Sequence, residues 1–84
     1  MNHRCPACAW PHLAEVPRSP SGAGSYEICP SCGFQPGVTD DDEGITPAQW
    51  RERWLHAGAK WWSQTRPAPA HWDAARQLRE GGFE

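Results

Sequence analysis

Cys29-Pro30-Ser31-Cys32-Gly33 repeats the pattern of Cys5-Pro6-Ala7-Cys8, from which it is separated by 20 residues. Two Cys-x2-Cys pairs at about this separation carry the spacing of a zinc ribbon. Two intervening residues make a tight knuckle that brings both sulfurs within about 2.3 Å of one ion, and a second knuckle completes a tetrahedron. Proline after each leading cysteine presets the turn. Gly33 can take the left-handed conformation that turns backbone amides toward sulfur, and Ala9 holds the equivalent place in the first knuckle. The predicted ligands are Cys5, Cys8, Cys29 and Cys32, and one zinc ion is the expected cofactor. Four thiolates close the coordination sphere, so the ion is expected to be structural, with an apparent binding energy of about 10–16 kcal/mol that decides whether the chain folds.

The competing uses of four cysteines fit less well. Two disulfides need an oxidising compartment, and the Met1-Asn2-His3-Arg4-Cys5 start has neither an apolar run nor a small-residue cleavage site, so a reducing cytoplasm is the expectation. A thioredoxin-type redox pair needs a βαβ unit that 84 residues do not supply alongside the rest. His3 and His12 flank the first knuckle, but four thiols already complete the ligand count. With His56 and His71, they read as surface residues.

Composition explains why a staple is needed. Hydrophobic residues make up 38%, while 8 Gly and 9 Pro take another fifth of the chain. A single core in so short a chain yields only about 3–5 kcal/mol. The formal net charge of −2 becomes −4 with four thiolates and one zinc ion, which argues against a nucleic-acid binder at the level of the whole domain. No apolar run approaches the ~18 residues of a membrane span.

Two regions are expected to form one compact domain. Residues 1–39 hold the knuckles and an antiparallel hairpin, with strands at Leu13–Val16 and Tyr26–Ile28 joined by a Pro-, Ser- and Gly-rich loop. Residues 40–84 begin with the acidic turn Asp40-Asp41-Asp42-Glu43. This lacks the alternating carboxylates and mid-loop glycine of a calcium loop and reads as a solvated turn. Thr46, Pro47 and Gln49 form a capping signal for a helix running to about Trp62. At 100° per residue Trp50, Trp54, Ala57 and Trp61 share one stripe, predicted to pack over the ribbon with each indole N–H finding an acceptor. Asp73 caps a short last helix from Ala74 to about Glu80, in which Leu78 is the one large apolar residue and docking is expected to be weak. The fold class is therefore small α+β.

Six tryptophans exceed what a core of this size hides, since each presents roughly 150–250 Å². Trp10, Trp62 and Trp72 are the three outside the stripe. With Arg51 and Arg66 they form the candidate partner surface, because Trp and Arg dominate binding hot spots.

The stretch from Ser25 to Phe34, with the Asp run after it, resembles the small bacterial cysteine-rich proteins of the CPCC type, whose second knuckle has a similar Tyr-Glu-Ile-Cys-Pro lead-in. The resemblance covers about the first half of the chain. Ala7 stands where that type has a third cysteine, leaving the outer pair for metal. The resemblance implies a zinc-ribbon fold and carries no catalytic residue. Some members look like companions of toxin systems, which implies an inhibitor- or immunity-like role.

Three function classes follow. A non-enzymatic module that binds another protein rests on closed coordination, surplus aromatic surface and the lack of an acid–base or nucleophile constellation. A nucleic-acid-binding ribbon rests on fold analogy with Arg51, Arg53, Lys60 and Arg66. A small metalloenzyme requires an open coordination position, which four thiolates do not leave.

Overall fold

A computed structural model of the chain describes residues 2–83 and contains two helices, α1 (Pro47–His56) and α2 (Ala74–Glu80). α1 begins as its sequence directs. The Thr46 hydroxyl accepts from the Gln49 amide at 3.1 Å, the Gln49 side chain accepts from the Thr46 amide at 2.9 Å, and Pro47 occupies the first turn. It ends earlier than the predicted Trp62. Gly58 adopts φ 101°, its amide donates to the Leu55 carbonyl at 3.0 Å, and the Ala59 amide donates to the Trp54 carbonyl at 2.8 Å. This is a Schellman stop, for which a left-handed glycine just past the last turn is the usual signal. The predicted stripe is thereby cut. Trp50 and Trp54 remain on α1, Ala57 is exposed, and Trp61 lies beyond the helix.

The predicted hairpin between residues 13–16 and 26–28 does not form. Among the described residues the β-structure is two isolated antiparallel bridges, His3 with Leu13 and Arg18 with Gly24. Tyr26 sits at φ 63°, which turns the chain out of extended geometry, and the Glu27 carboxylate accepts from the Ala14 and Glu15 amides at 2.9 Å each, in place of a backbone ladder. Val16 and Ile28 stay about half exposed and Leu13 is the one wholly buried apolar side chain of the two segments, too little to hold a two-stranded hairpin, which is marginal in water when isolated.

The acidic turn is more than a solvated loop. Arg18 bonds Asp40 and Asp41, each at 2.6 Å, and Asp40 also accepts from the Gly37 amide at 2.7 Å. Arg18 so ties the loop at 17–25 to residues 37–41, while Asp42 and Glu43 face solvent.

Four of the six tryptophans form one connected cluster that crosses the chain. Trp61 meets Trp10 and Trp72 edge-on, with ring centroids 5.0 and 5.3 Å apart, and Trp54 lies 6.4 Å from Trp72. The indole N–H groups of Trp50, Trp54, Trp61 and Trp72 donate to Cys32 O, Lys60 O, Arg66 O and Gln77 Oε1. α2 closes the fold with Gln77 and Leu78 buried, against the expectation of weak docking. Among the described residues no helix is long and apolar enough to cross a membrane.

Two predictions follow from this packing. Ala9 is buried at φ 72°, and a methyl group added at Gly81 would collide with the Ala9 Cβ but would sit at ordinary contact distance, 3.5 Å, from the Ala9 Cα. Gly81→Ala is therefore expected to destabilise by about 1–3 kcal/mol. The Ala9→Gly/Gly81→Ala double variant is expected to recover most of that in urea unfolding.

Burial pushes the Asp40 carboxyl up, but its bonds to Arg18 and the Gly37 amide, together with the Arg18 charge, outweigh that and hold it below the ordinary carboxylate range. Its contribution to stability is thus complete above the unfolded value of about 3.9 and is lost as pH falls through the lower folded value. In an NMR carboxyl titration, Arg18→Met should return the Asp40 midpoint upward.

Candidate metal centre

The two knuckles are near copies of one another in backbone hydrogen bonding. The Cys5 amide donates to Trp10 O and the Ala9 amide to Cys5 O, at 2.8 and 2.9 Å. The Cys29 amide donates to Phe34 O and the Gly33 amide to Cys29 O, at 2.9 and 2.8 Å. Both sequences fold this way because the residue after the second cysteine is left-handed in each, Ala9 at φ 72° and Gly33 at φ 85°. The two positions carry opposite size requirements. Gly33 has no room for a Cβ because the Trp62 indole lies 2.5 Å from where it would be, whereas the Ala9 methyl fills the space over Gly81.

Each knuckle also aims a backbone amide at sulfur, Ala7 N at Cys5 Sγ (3.4 Å) and Phe34 N at Cys32 Sγ (3.5 Å). The four sulfurs lie within 4.8 Å of one another, and all four cysteines are buried and unbridged. Cys5 Sγ is 3.8 Å from Cys32 Sγ, and Cys8 Sγ is 3.6 Å from Cys29 Sγ. Sulfurs placed tetrahedrally about 2.3 Å from a central ion lie about 3.8 Å apart, so the cage fits a four-coordinate metal, and both gaps far exceed the ~2.05 Å of a disulfide.

The electrostatics ask for a cation. Accepting from Cys29, Cys32 and Cys8 holds the Cys5 thiol well below its ordinary value. Burial pushes Cys29 up, and donation toward Cys29, Cys5 and Cys8 pushes Cys32 up. One buried thiolate can be stabilised by its three neighbours. Four thiolates at this spacing repel one another in low dielectric and need a positive ion between them.

The outward-facing carbonyls of the knuckles are capped by the rest of the molecule. Arg51 on α1 donates to Ala7 O at 2.6 Å and Pro6 O at 3.1 Å, with its guanidinium carbon 3.7 Å from the Phe83 ring centre. Trp50 donates to Cys32 O at 3.0 Å. The Trp62 and Ser63 amides donate to Ser31 O and Pro30 O at 3.0 and 2.9 Å. From α2, Gln77 donates to Cys8 O and to Ser31 Oγ.

The four predicted metal ligands thus come together, and the five residues of the candidate partner surface do not form one patch. Trp10, at 5% exposure, belongs to the core, and its Nε1 is the buried side-chain nitrogen without a partner among the described residues. Arg51 is committed to the first knuckle, and Trp72 is packed against Trp54 and Trp61. Trp62 stays half exposed, and the Arg66 side chain is at the surface. The other exposed large apolar side chains are Val16, Tyr26, Ile28 and Leu55, and of these the Tyr26 ring lies beside Gly37, just ahead of the acidic turn. Gln77 was missed by sequence reasoning. Its one sequence signal is its position beside Leu78, on the buried face of a capped helix. No family model, curated protein or solved structure matches the chain.

Replacing Cys29 with Ser removes one of four buried ligands. The expected result is loss of metal and of cooperative unfolding, consistent with the about 10–16 kcal/mol carried by such a site. Because protons compete with metal for thiolate, the metal-bound fold should be retained at neutral pH and lost on acidification. Near-ultraviolet circular dichroism of the tryptophans, followed with metal content, checks both.

Proposed function

We propose that the chain is a structural-zinc protein-interaction module built on two ribbon-type knuckles, with no catalytic activity of its own and with an inhibitor- or immunity-like role toward another protein. The observation that carries the metal part is the convergence of four buried sulfurs within 4.8 Å. All-thiolate, tetrahedral surroundings favour zinc, and a set of four leaves no position for water or substrate.

Support for the binding part comes from the distribution of charge and apolar surface. Residues 13–45 hold six acidic side chains and one cation, Arg18, a local net charge of −5. Tyr26, at 62% exposure, and the half-exposed Val16 and Ile28 belong to this same stretch of chain, and the Tyr26 ring lies beside Gly37, whose amide donates to Asp40. Such a surface suits a partner that presents basic and apolar groups together.

One observation favours nucleic acid as the second reading. Residues 46–83 carry six Lys and Arg against three Asp and Glu, and no ion pair within 4.0 Å is formed there among the described residues.

Elemental analysis of protein purified under reducing, chelator-free conditions should give one zinc per chain. A compact, metal-free sample would remove the foundation of both readings. Affinity capture from native lysate should yield a partner that Ile28→Asp and Tyr26→Asp lose while the zinc stays bound. Binding to DNA or RNA that falls steeply with salt, and that Arg53→Ala and Lys60→Ala abolish, would replace the protein partner with the second reading.

A further inference from the structure

α2 reaches both knuckles through one buried side chain. Gln77, 6% exposed, donates from Nε2 to Cys8 O at 2.9 Å and to Ser31 Oγ at 3.0 Å. Its Oε1 accepts from the Trp72 indole at 2.8 Å. A carboxamide has two N–H hydrogens, and here one goes to each knuckle while the indole fixes which end of the amide faces them. The other outer groups are one-sided. Arg51 serves the first knuckle, whereas Trp50 and residues 62–63 serve the second. Among the described residues, Gln77 is the one side chain other than the cysteines that bonds both.

We propose that Gln77 is a positioning residue of the metal centre, holding the Cys8 carbonyl of one knuckle and the Ser31 hydroxyl of the other in fixed register so that the four sulfurs stay at ligand spacing. This rests on the metal-binding reading. Cys8 and Ser31 are both wholly buried. Removing the amide therefore leaves two acceptors without their donor and frees the knuckles to drift apart, whereas a metal ligand set is retained best when its outer partners are locked. α2 then acts as a strap on metal retention as well as a lid on the core, and Trp72 acts through Gln77.

The test uses the full chain loaded with zinc, and separately with cobalt(II), in five forms: wild type, Gln77→Met, Gln77→Glu, Trp72→Phe and Leu78→Ala. Gln77→Met keeps length and removes both donors, Gln77→Glu places an acceptor where donors stood, and Trp72→Phe removes the indole N–H together with part of the ring packed on Trp54 and Trp61. Leu78→Ala loosens α2 without touching these bonds. Transfer of zinc to a chromogenic chelator should become about 10–100-fold faster in both Gln77 variants. Their thiolate-to-cobalt charge-transfer band should shift, and Trp72→Phe should move both readouts less in the same direction. Leu78→Ala should lower the melting temperature and leave the band in place. If Gln77→Met fails to fold, Trp72→Phe alone decides, and a wild-type band and transfer rate in it overturn the proposal. Gln77→Met at wild-type values overturns it too, as does Leu78→Ala matching Gln77→Met in both readouts, which would reduce the effect to helix docking. A wild-type chain that takes up neither metal instead brings down the metal reading itself.

Discussion

Four buried thiol groups packed inside 4.8 Å set the terms for everything else in this molecule. As thiols they share protons unevenly, with Cys5 favoured as the thiolate and Cys29 and Cys32 disfavoured. As thiolates they are tolerable only around a cation. The largest wholly buried side chains besides the cysteines are Phe34, Leu13 and Pro36, too few to carry an 84-residue chain on apolar burial alone. The four sulfurs are therefore the centre of the core and not an addition to it.

Around that centre the chain is organised by what the knuckles leave unsatisfied. A tight turn at each cysteine pair points peptide carbonyls outward, and buried carbonyls need donors. α1 supplies Trp50 and Arg51, the segment after it supplies the Trp62 and Ser63 amides, and α2 supplies Gln77. The tryptophans fit the same logic. Four of the rings run from Trp10 through Trp61 and Trp72 to Trp54 along one side of the same core, and four of the six indoles find acceptors. Trp10 joins the knuckles to these rings, because it belongs to the first knuckle's backbone loop and also to the aromatic cluster.

The near-neutral total charge conceals a division. Acidic groups concentrate between the knuckles and just after the second, and cations concentrate in the helical part. In the acidic region Arg18 is spent on Asp40 and Asp41, leaving Asp42 and Glu43 to solvent, and the exposed Tyr26 ring lies beside Gly37.

The features legible in the sequence were those set by chain neighbours. Cys-Pro-x-Cys spacing set the two knuckles and the cysteines they present, Thr46-Pro47 with Gln49 set the start of α1, and Asp73 set the start of α2, because each depends on atoms within four residues. The overrun of α1 to Trp62 came from weighting the tryptophan period above Gly58, whose left-handed stop was also local. What only tertiary structure decided was which partner each distant group found. The Glu27 carboxylate took the amides that a hairpin would have used, Arg51 and Trp10 turned inward, and Gln77, 69 positions from Cys8, became the one side chain bonded to both knuckles. Linear spacing carries no record of those choices, because they are made by unsatisfied polar groups and leftover volume that exist only once the sulfurs have been drawn together.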